Sequence, residues 1–391
     1  MKFLFVSNLF PDTREPARGL FNARLVKYLG RLHEVRVISP RPAPGWLRRG
    51  GGRTARPEDE KFFPVFPPTG YLPKIGDRWN HLLMAGGLRG PLEQTQKEFP
   101  FQAILAAWAY PDCCAVARLA GKLRVPFVAL VQGSDAHQYL GMPVRRRIIV
   151  ESLNTAAAVV AQSLELQRLL REAGVKPDKL RTIYNGVEQD VFKPGDRTAA
   201  RAGLNLPAGD IILLYVGNLL PVKNPLLLVE AHARLLKQNP GRAFRLVMIG
   251  TGPLREEIQR RSRQLGTGAL VSLTGGLPPA VVARHMQAAD LVCIPSDNEG
   301  LPNVLNEAFS CGRRVVATRV GGIPEVLNGD YLGRMVERRS AAALAGAIEL
   351  TLAGPEEPDP IARHAAQYSW ENCAGQHARL LENAAQGIHD E

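Results

Sequence analysis

The sequence predicts an α/β protein of two domains, each built on a doubly wound parallel sheet. Three observations lead there. A chain of 391 residues is too long for one ordinary core. Its apolar share of 45% and charged share of 22% are those of a globular protein. Short apolar runs without polar alternation recur throughout, separated by amphipathic stretches. That is the pattern of strands buried on both faces, with helices crossing right-handed between them.

In order, the first half offers "KFLFVSN", "EVRVISP", "AILAAWA", "PFVALVQGSD", "AAAVVAQS" and "LRTIYNG" as strands. The opening run is too short and too soon broken by Ser7 and Asn8 for a leader, so it reads as a buried strand. Residues 41–78 are rich in Pro, Gly and Arg and read as a long surface excursion. The second half offers "IILLYVGNL", "FRLVMIGTG", "LVSLTGG", "LVCIPS" and "RRVVATRVGG". Between the halves, 191–210 gathers Pro, Gly and charge, the marks of a break. The predicted domains are 1–190 and 191–364, with 365–391 a last helix and a polar tail.

Charge and cysteines narrow the function. Residues 1–190 hold 28 Lys+Arg and 17 Asp+Glu, a balance of +11, whereas residues 191–391 hold 21 and 20. A basic first half points to an anionic partner, such as phosphates or a membrane surface. Nucleic acid does not fit: the basic clusters (Arg48, Arg49, Arg53, Arg56; Arg145 to Arg147) lack the interleaved aromatics of a stacking platform. No run reaches 18 apolar residues, so no membrane span is expected. Five cysteines without a C-x-x-C or zinc spacing read as buried free thiols of a cytoplasmic protein.

Open parallel sheets collect ligands at the carboxyl ends of their strands, near helix N-termini. "YVGNLLPVKN" (215–224) puts Lys223 after a strand and beside a helix start, a phosphate-binding arrangement. "MIGTGP" (248–253) supplies a Gly-x-Gly turn, but Arg255 stands where a third glycine would complete the dinucleotide fingerprint, which weighs against a dehydrogenase. "EGLPNVLNE" (299–307) combines a turn, a helix start at Pro302 and two acids. It places the amides of Leu301, Asn303 and Val304 to face an anion, Glu299 at the mouth and Glu307 a turn inside the helix.

These motifs, with "NGVEQDVFKP" (185–194) and "VATRVGGIPEVL" (316–327), resemble the family 4 glycosyltransferases, the large retaining group with the GT-B fold. The resemblance covers nearly the whole chain. "PDTREPARGLFNARLVKYL" (11–29) is similar to the teichuronic-acid branch of cell-envelope sugar transferases. The resemblance implies two Rossmann-like domains facing a cleft, the first for the acceptor and the second for a nucleotide-diphosphate sugar. It implies that the final helix crosses back onto the first domain. It gives Glu299 the donor sugar, Glu307 the ribose, Lys223 the diphosphate, Gly19 a phosphate-facing amide and Leu277 the base, held largely by backbone. Two positions depart from it. Asn218 stands where a second diphosphate cation is often found, and Gln132 replaces a histidine in the turn that also holds Asp135. His137, two residues on, reads as a structural histidine.

The implied reaction transfers a glycosyl unit with retention to an acceptor hydroxyl, expected to be lipid-linked and at the inner face of the membrane. Same-face attack is favoured over a double displacement through Glu299. With no Asp-x-Asp in the chain, no metal and no other cofactor is expected. Two rivals stay open: a nucleotide-sugar epimerase of the same fold, and a non-catalytic nucleotide-sugar sensor, for which Asn218 and Gln132 speak.

Overall fold

The computed structural model describes residues 1–43, 54–73, 75–337 and 340–388. Arg48, Arg49 and Arg53 therefore lie outside the described residues. The chain forms two compact units, 1–185 with 370–391, and 186–369.

The first unit is built on β1 (Lys2–Val6), β2 (Glu34–Ile38), β3 (Ala103–Ala107), β4 (Phe127–Val131), β5 (Ala158–Ala161) and β6 (Leu180–Thr182). All pair in parallel, in the order β2-β1-β3-β4-β5-β6. The unbroken apolar runs have the expected cause. In β1, Leu4 and Val6 enter one core and Phe3 and Phe5 the other. Crossovers are made by α1 (Leu20–Leu32), α2 (Asn80–Glu98), α3 (Cys114–Leu123), α4 (Ser134–Tyr139), α5 (Pro143–Leu153) and α6 (Leu164–Ala173).

The described residues of 41–78 make more than a surface excursion. Arg41–Pro42 pairs in parallel with Pro68–Thr69, and Phe62 and Phe66 are buried in the core beside α1 and β2. Two aromatic anchors in a Pro-rich segment bury apolar surface, worth about 2 kcal/mol each, and this fixes a chain that composition alone marks as loop.

In the second unit α7 (Arg197–Gly203), capped by Asp196, falls inside the stretch read as a break. Then come β7 (Ile211–Val216), α8 (Pro225–Gln238), β8 (Phe244–Ile249), α9 (Arg255–Gln264), β9 (Val271–Gly275), α10 (Pro279–Ala288) and β10 (Leu291–Ile294). They are followed by α11 (Asn303–Ser310), β11 (Val315–Thr318), α12 (Ile323–Val326), β12 (Gly333–Val336), α13 (Ala341–Ala353) and α14 (Pro358–Ala365). The parallel order is β9-β8-β7-β10-β11-β12. The strand β12 went unread in the sequence. It is four residues long and carries exposed Arg334. It also begins at Gly333, whose positive φ of 134° and close approach to Val315 leave no room for a Cβ.

The last helix, α15 (Trp370–Gln386), belongs to the first unit, where Trp370 stacks on Tyr28 of α1 at 6.3 Å. All five cysteines are buried and outside any disulfide, and burial raises the thiols of Cys113, Cys114, Cys293 and Cys311. They are packing residues.

Candidate nucleotide-sugar site

Strand order reverses between β7 and β10 in the second unit. The loops leaving these two strands carry Lys223 and Glu299. A pocket of about 380 Å³ opens there, lined by Asn218, Lys223, Leu277, Glu299, Asn303 and Val304 among others. The structure thus gathers residues 89 positions apart, the outermost of the lining being Tyr215 and Val304.

Local bonds explain how. Lys223 ends a single 3-10 turn, Pro221–Lys223, and Asn224 takes a left-handed φ of 44° before Pro225 opens α8. The Asp297 amide donates to the Val222 carbonyl at 2.8 Å, and the Asn224 side chain donates to Asp297 Oδ1 at 3.1 Å. The two loops are therefore sewn together. Across this seam Lys223 Nζ donates to Glu299 Oε2 at 2.5 Å. The other carboxylate oxygen accepts from Ser296 Oγ at 2.6 Å. Glu299 is buried while Lys223 is only half so. Such a charge-assisted pair fixes the carboxylate and leaves the ammonium able to turn to an arriving anion. Tyr215 lies behind, and its hydroxyl is raised well above its ordinary value by burial and by the Glu299 charge.

Pro302 precedes α11 at the cap position, with extended ψ of 122°, rather than sitting in its first turn. Asn303 and Val304 form that first turn and line the pocket. First-turn amides have no acceptor within their own helix and suit an anion. Leu301, in the preceding loop, and Glu307, inside α11, both lie outside the pocket lining. Glu307 stands four residues after Asn303, hence on the same helix face.

Two glycine motifs prove to be packing devices for this pocket. A Cβ on Gly250 would lie 1.9 Å from the Gly217 carbonyl oxygen, so the Gly-x-Gly turn presses against the loop leaving β7. A Cβ on Gly321, at φ 54°, would lie 2.0 Å from the Glu299 carbonyl oxygen. The Gly322 amide donates to the Gly300 carbonyl at 2.6 Å. The "VGG" of 320–322 is thus the backing of the Glu299 loop.

Sequence reasoning missed Ser296, Tyr215 and Gly321 as site residues. Ser296, three positions before Glu299 in the same loop, was within its reach.

The remaining expected residues lie in the first unit, Gly19 in the segment between β1 and α1 and the others just after β4. Gly19 caps α1 at φ 62°, and a Cβ there would sit 2.3 Å from the Leu9 carbonyl oxygen. Asn22, one turn on, donates to that same carbonyl at 2.7 Å and accepts from Gln132 Nε2 at 2.6 Å. Asp135 is fully buried and accepts from the amides of Ala109 at 2.6 Å, Gln132 at 3.0 Å and Ala136 at 3.1 Å. Burial pushes its carboxyl up to about 6 against those donors. His137 pairs with Glu165 of α6 at 3.4 Å, a contact that raises it.

A doubly wound sheet with a lysine and a carboxylate at its switch point is a build on which nucleotides bind. Residues 20–191 match the model described as Glycosyltransferase Family 4, and residues 196–368 that described as Glycosyl transferases group 1. A D-inositol 3-phosphate glycosyltransferase of Geodermatophilus obscurus is 38% identical over 241 residues, 58% of this chain and 53% of the relative. One of Mycobacterium tuberculosis is 33% identical over 280 residues, 68% of this chain and 55% of the relative. The chain spans about half the length of the curated relatives it matches.

Among solved structures, HepE of Anabaena in complex with UDP has a TM-score of 0.76 at 22% identity, covering 98% of this chain and 100% of that one. Sucrose-phosphate synthase of Thermosynechococcus elongatus has 0.74 at 21%, covering 99% and 100%. At these identities the likeness is one of fold, GT-B. The protein belongs to the family 4 glycosyltransferases.

Proposed function

We propose that the protein is a retaining, metal-independent glycosyltransferase that moves a sugar from a nucleotide diphosphate to an acceptor hydroxyl in the synthesis of a cell-envelope polysaccharide or glycolipid. The observation that carries this is the Lys223–Glu299 pair lining a pocket at the switch point of the second unit. HepE, a structural neighbour, was solved with UDP and with UDP-glucose, which supports a nucleotide-sugar donor.

The donor diphosphate lies against Lys223 and the first-turn amides of α11, with Leu277 near the base and Glu307 toward the ribose. Asn218 adds a hydrogen bond without charge, so Lys223 carries most of the electrostatic load. Its arrival draws the ammonium from Glu299 Oε2 and frees that carboxylate edge for the sugar. As the bond from the anomeric carbon to the phosphate oxygen breaks, negative charge grows on the phosphate and is met by the lysine and the amides. The acceptor oxygen bonds the same face of that carbon, and its proton passes to the departing phosphate. Glu299, held by Ser296, faces the cationic sugar ring. The first unit is assigned the acceptor, with Gly19 and Gln132 at its ligand side, Asp135 holding the Gln132 turn and Asn22 tying α1 to Gln132. Its positive charge suits a lipid-linked acceptor at the inner membrane face.

Incubation with a nucleotide sugar alone, and then with membranes, tests this. Transfer that requires the membrane acceptor is expected. A changed or hydrolysed sugar without acceptor would mean an epimerase, and binding with no turnover under either condition would mean a sensor.

A further inference from the structure

The first unit exposes an apolar cluster that its fold does not use. Ile75 is 75% exposed and Trp79 56%, with Leu72 and Leu83 also exposed. One short segment presents all four. Asn80 ties it together, accepting from the Leu72 amide at 2.8 Å and donating to the Leu72 carbonyl at 3.1 Å. The turn Gly76–Arg78 leads straight into α2, and Leu83 follows Trp79 by one helical turn. The same outward face continues through Gly86 and Gly90, around which there is open space. Glycine inside an exposed helix costs about 1 kcal/mol against alanine. Here it leaves a low surface beside the large side chains.

The charge around the cluster is one-sided. Among the described charged residues of 71–90, Arg89 is paired with Glu93, and Asp77 and Arg78 stand beside the cluster. Asp77 is already paired with Arg145. Arg78, between Ile75 and Trp79, is exposed. Large apolar side chains with a tryptophan and an arginine at their edge suit the boundary between lipid headgroups and acyl chains. A second copy of the chain suits it poorly. Two-fold pairing would set each Arg78 against its mate with no unpaired acid in the patch to answer it.

We propose that Leu72, Ile75, Trp79 and Leu83, edged by Arg78, form the surface by which the first unit docks on an anionic membrane. This rests on the reading of the protein as an enzyme working on a lipid-linked acceptor, and it names where that enzyme touches the lipid. Among the described residues no helix is long and apolar enough to cross a membrane, so docking would be peripheral.

The test is sedimentation of the full chain with vesicles of phosphatidylglycerol and phosphatidylcholine, and with phosphatidylcholine alone, for the wild type and for Ile75→Asp/Trp79→Asp. Both positions are exposed, and an unchanged melting temperature checks that the variant is folded. The wild type should bind the anionic vesicles, and the variant should lose about tenfold or more in affinity. Equal binding by both would overturn this surface and leave membrane association standing. No binding by the wild type would overturn the surface and the membrane reading together. A concentration-dependent dimer abolished by the double substitution would assign the patch to a second copy and refute the proposal.

Discussion

The two units carry the same kind of sheet, yet they use the carboxylates at their switch points differently. In the second unit Glu299 and Lys223 meet at the wall of a pocket, with the lysine partly open to solvent. In the first unit the acids are enclosed. Asp12 and Arg41 form an ion pair with almost no exposure, at 3.1 Å. Arg41 also donates to the carbonyls of Asn8, at 2.8 Å, and Phe10, at 2.5 Å. Asp112 is buried against Asn8, accepting from its amide at 2.5 Å and its side chain at 2.7 Å. Arg18 completes the set by donating to the Asn8 carbonyl and side-chain oxygens. One switch point spends its charge on holding a loop, while the other keeps a lysine available. Position at a strand end is therefore weak evidence of chemistry until exposure and partners are known.

The contrast can be broken from either side. The largest effect should come from Arg41→Met, which takes the buried Asp12 carboxylate's arginine away and leaves its charge to the amides of Arg14 and Glu15. It should destabilise the protein by about 3–5 kcal/mol in urea unfolding, while any folded fraction still binds nucleotide. Next comes Glu299→Gln, which should lower transfer by about 10²–10³-fold with little change in melting temperature. Near-normal transfer would remove Glu299 from the site. Ser296→Ala should be smaller, about 1 kcal/mol in transfer, since it frees one edge of the Glu299 carboxylate without removing it.

The smallest effect is a pH slope. Burial pushes Asp112 up to about 7 from an ordinary 3.8, despite the Asn8 donors. The folded state then holds this proton more tightly than the unfolded chain does. The group's contribution to stability is complete below about pH 3.8 and is lost as pH rises through about 7. Asp112→Asn should flatten that part of the stability profile between these limits. An unchanged slope would mean that Asp112 does not titrate there.

Much of this was legible in the chain. The central strands announced themselves because they are buried on both faces, and the loops holding Lys223 and Glu299 follow from where those strands end. What stayed hidden depends on contacts distant in sequence. The Asn22–Gln132 bond spans 110 positions and the Asp12–Arg41 pair 29, and neither leaves a local signature. Phe62 and Phe66 looked like loop residues because composition records their prolines and not their burial. Short edge strands such as β12 lack the apolar run that marks a central strand. Glycine turns were ambiguous for a related reason. The sequence shows that Gly250 and Gly321 permit a close approach, and only the structure shows that a carbonyl makes it.

The central claim is that the second unit holds a nucleotide diphosphate through Lys223. A thermal-shift screen of the full chain against UDP-, GDP-, ADP- and TDP-sugars in EDTA, run beside Lys223→Ala, tests it most directly. The account predicts a raised melting temperature with one nucleotide family in the wild type, largely lost in Lys223→Ala. No shift with any of them, or an equal shift in both proteins, would contradict it.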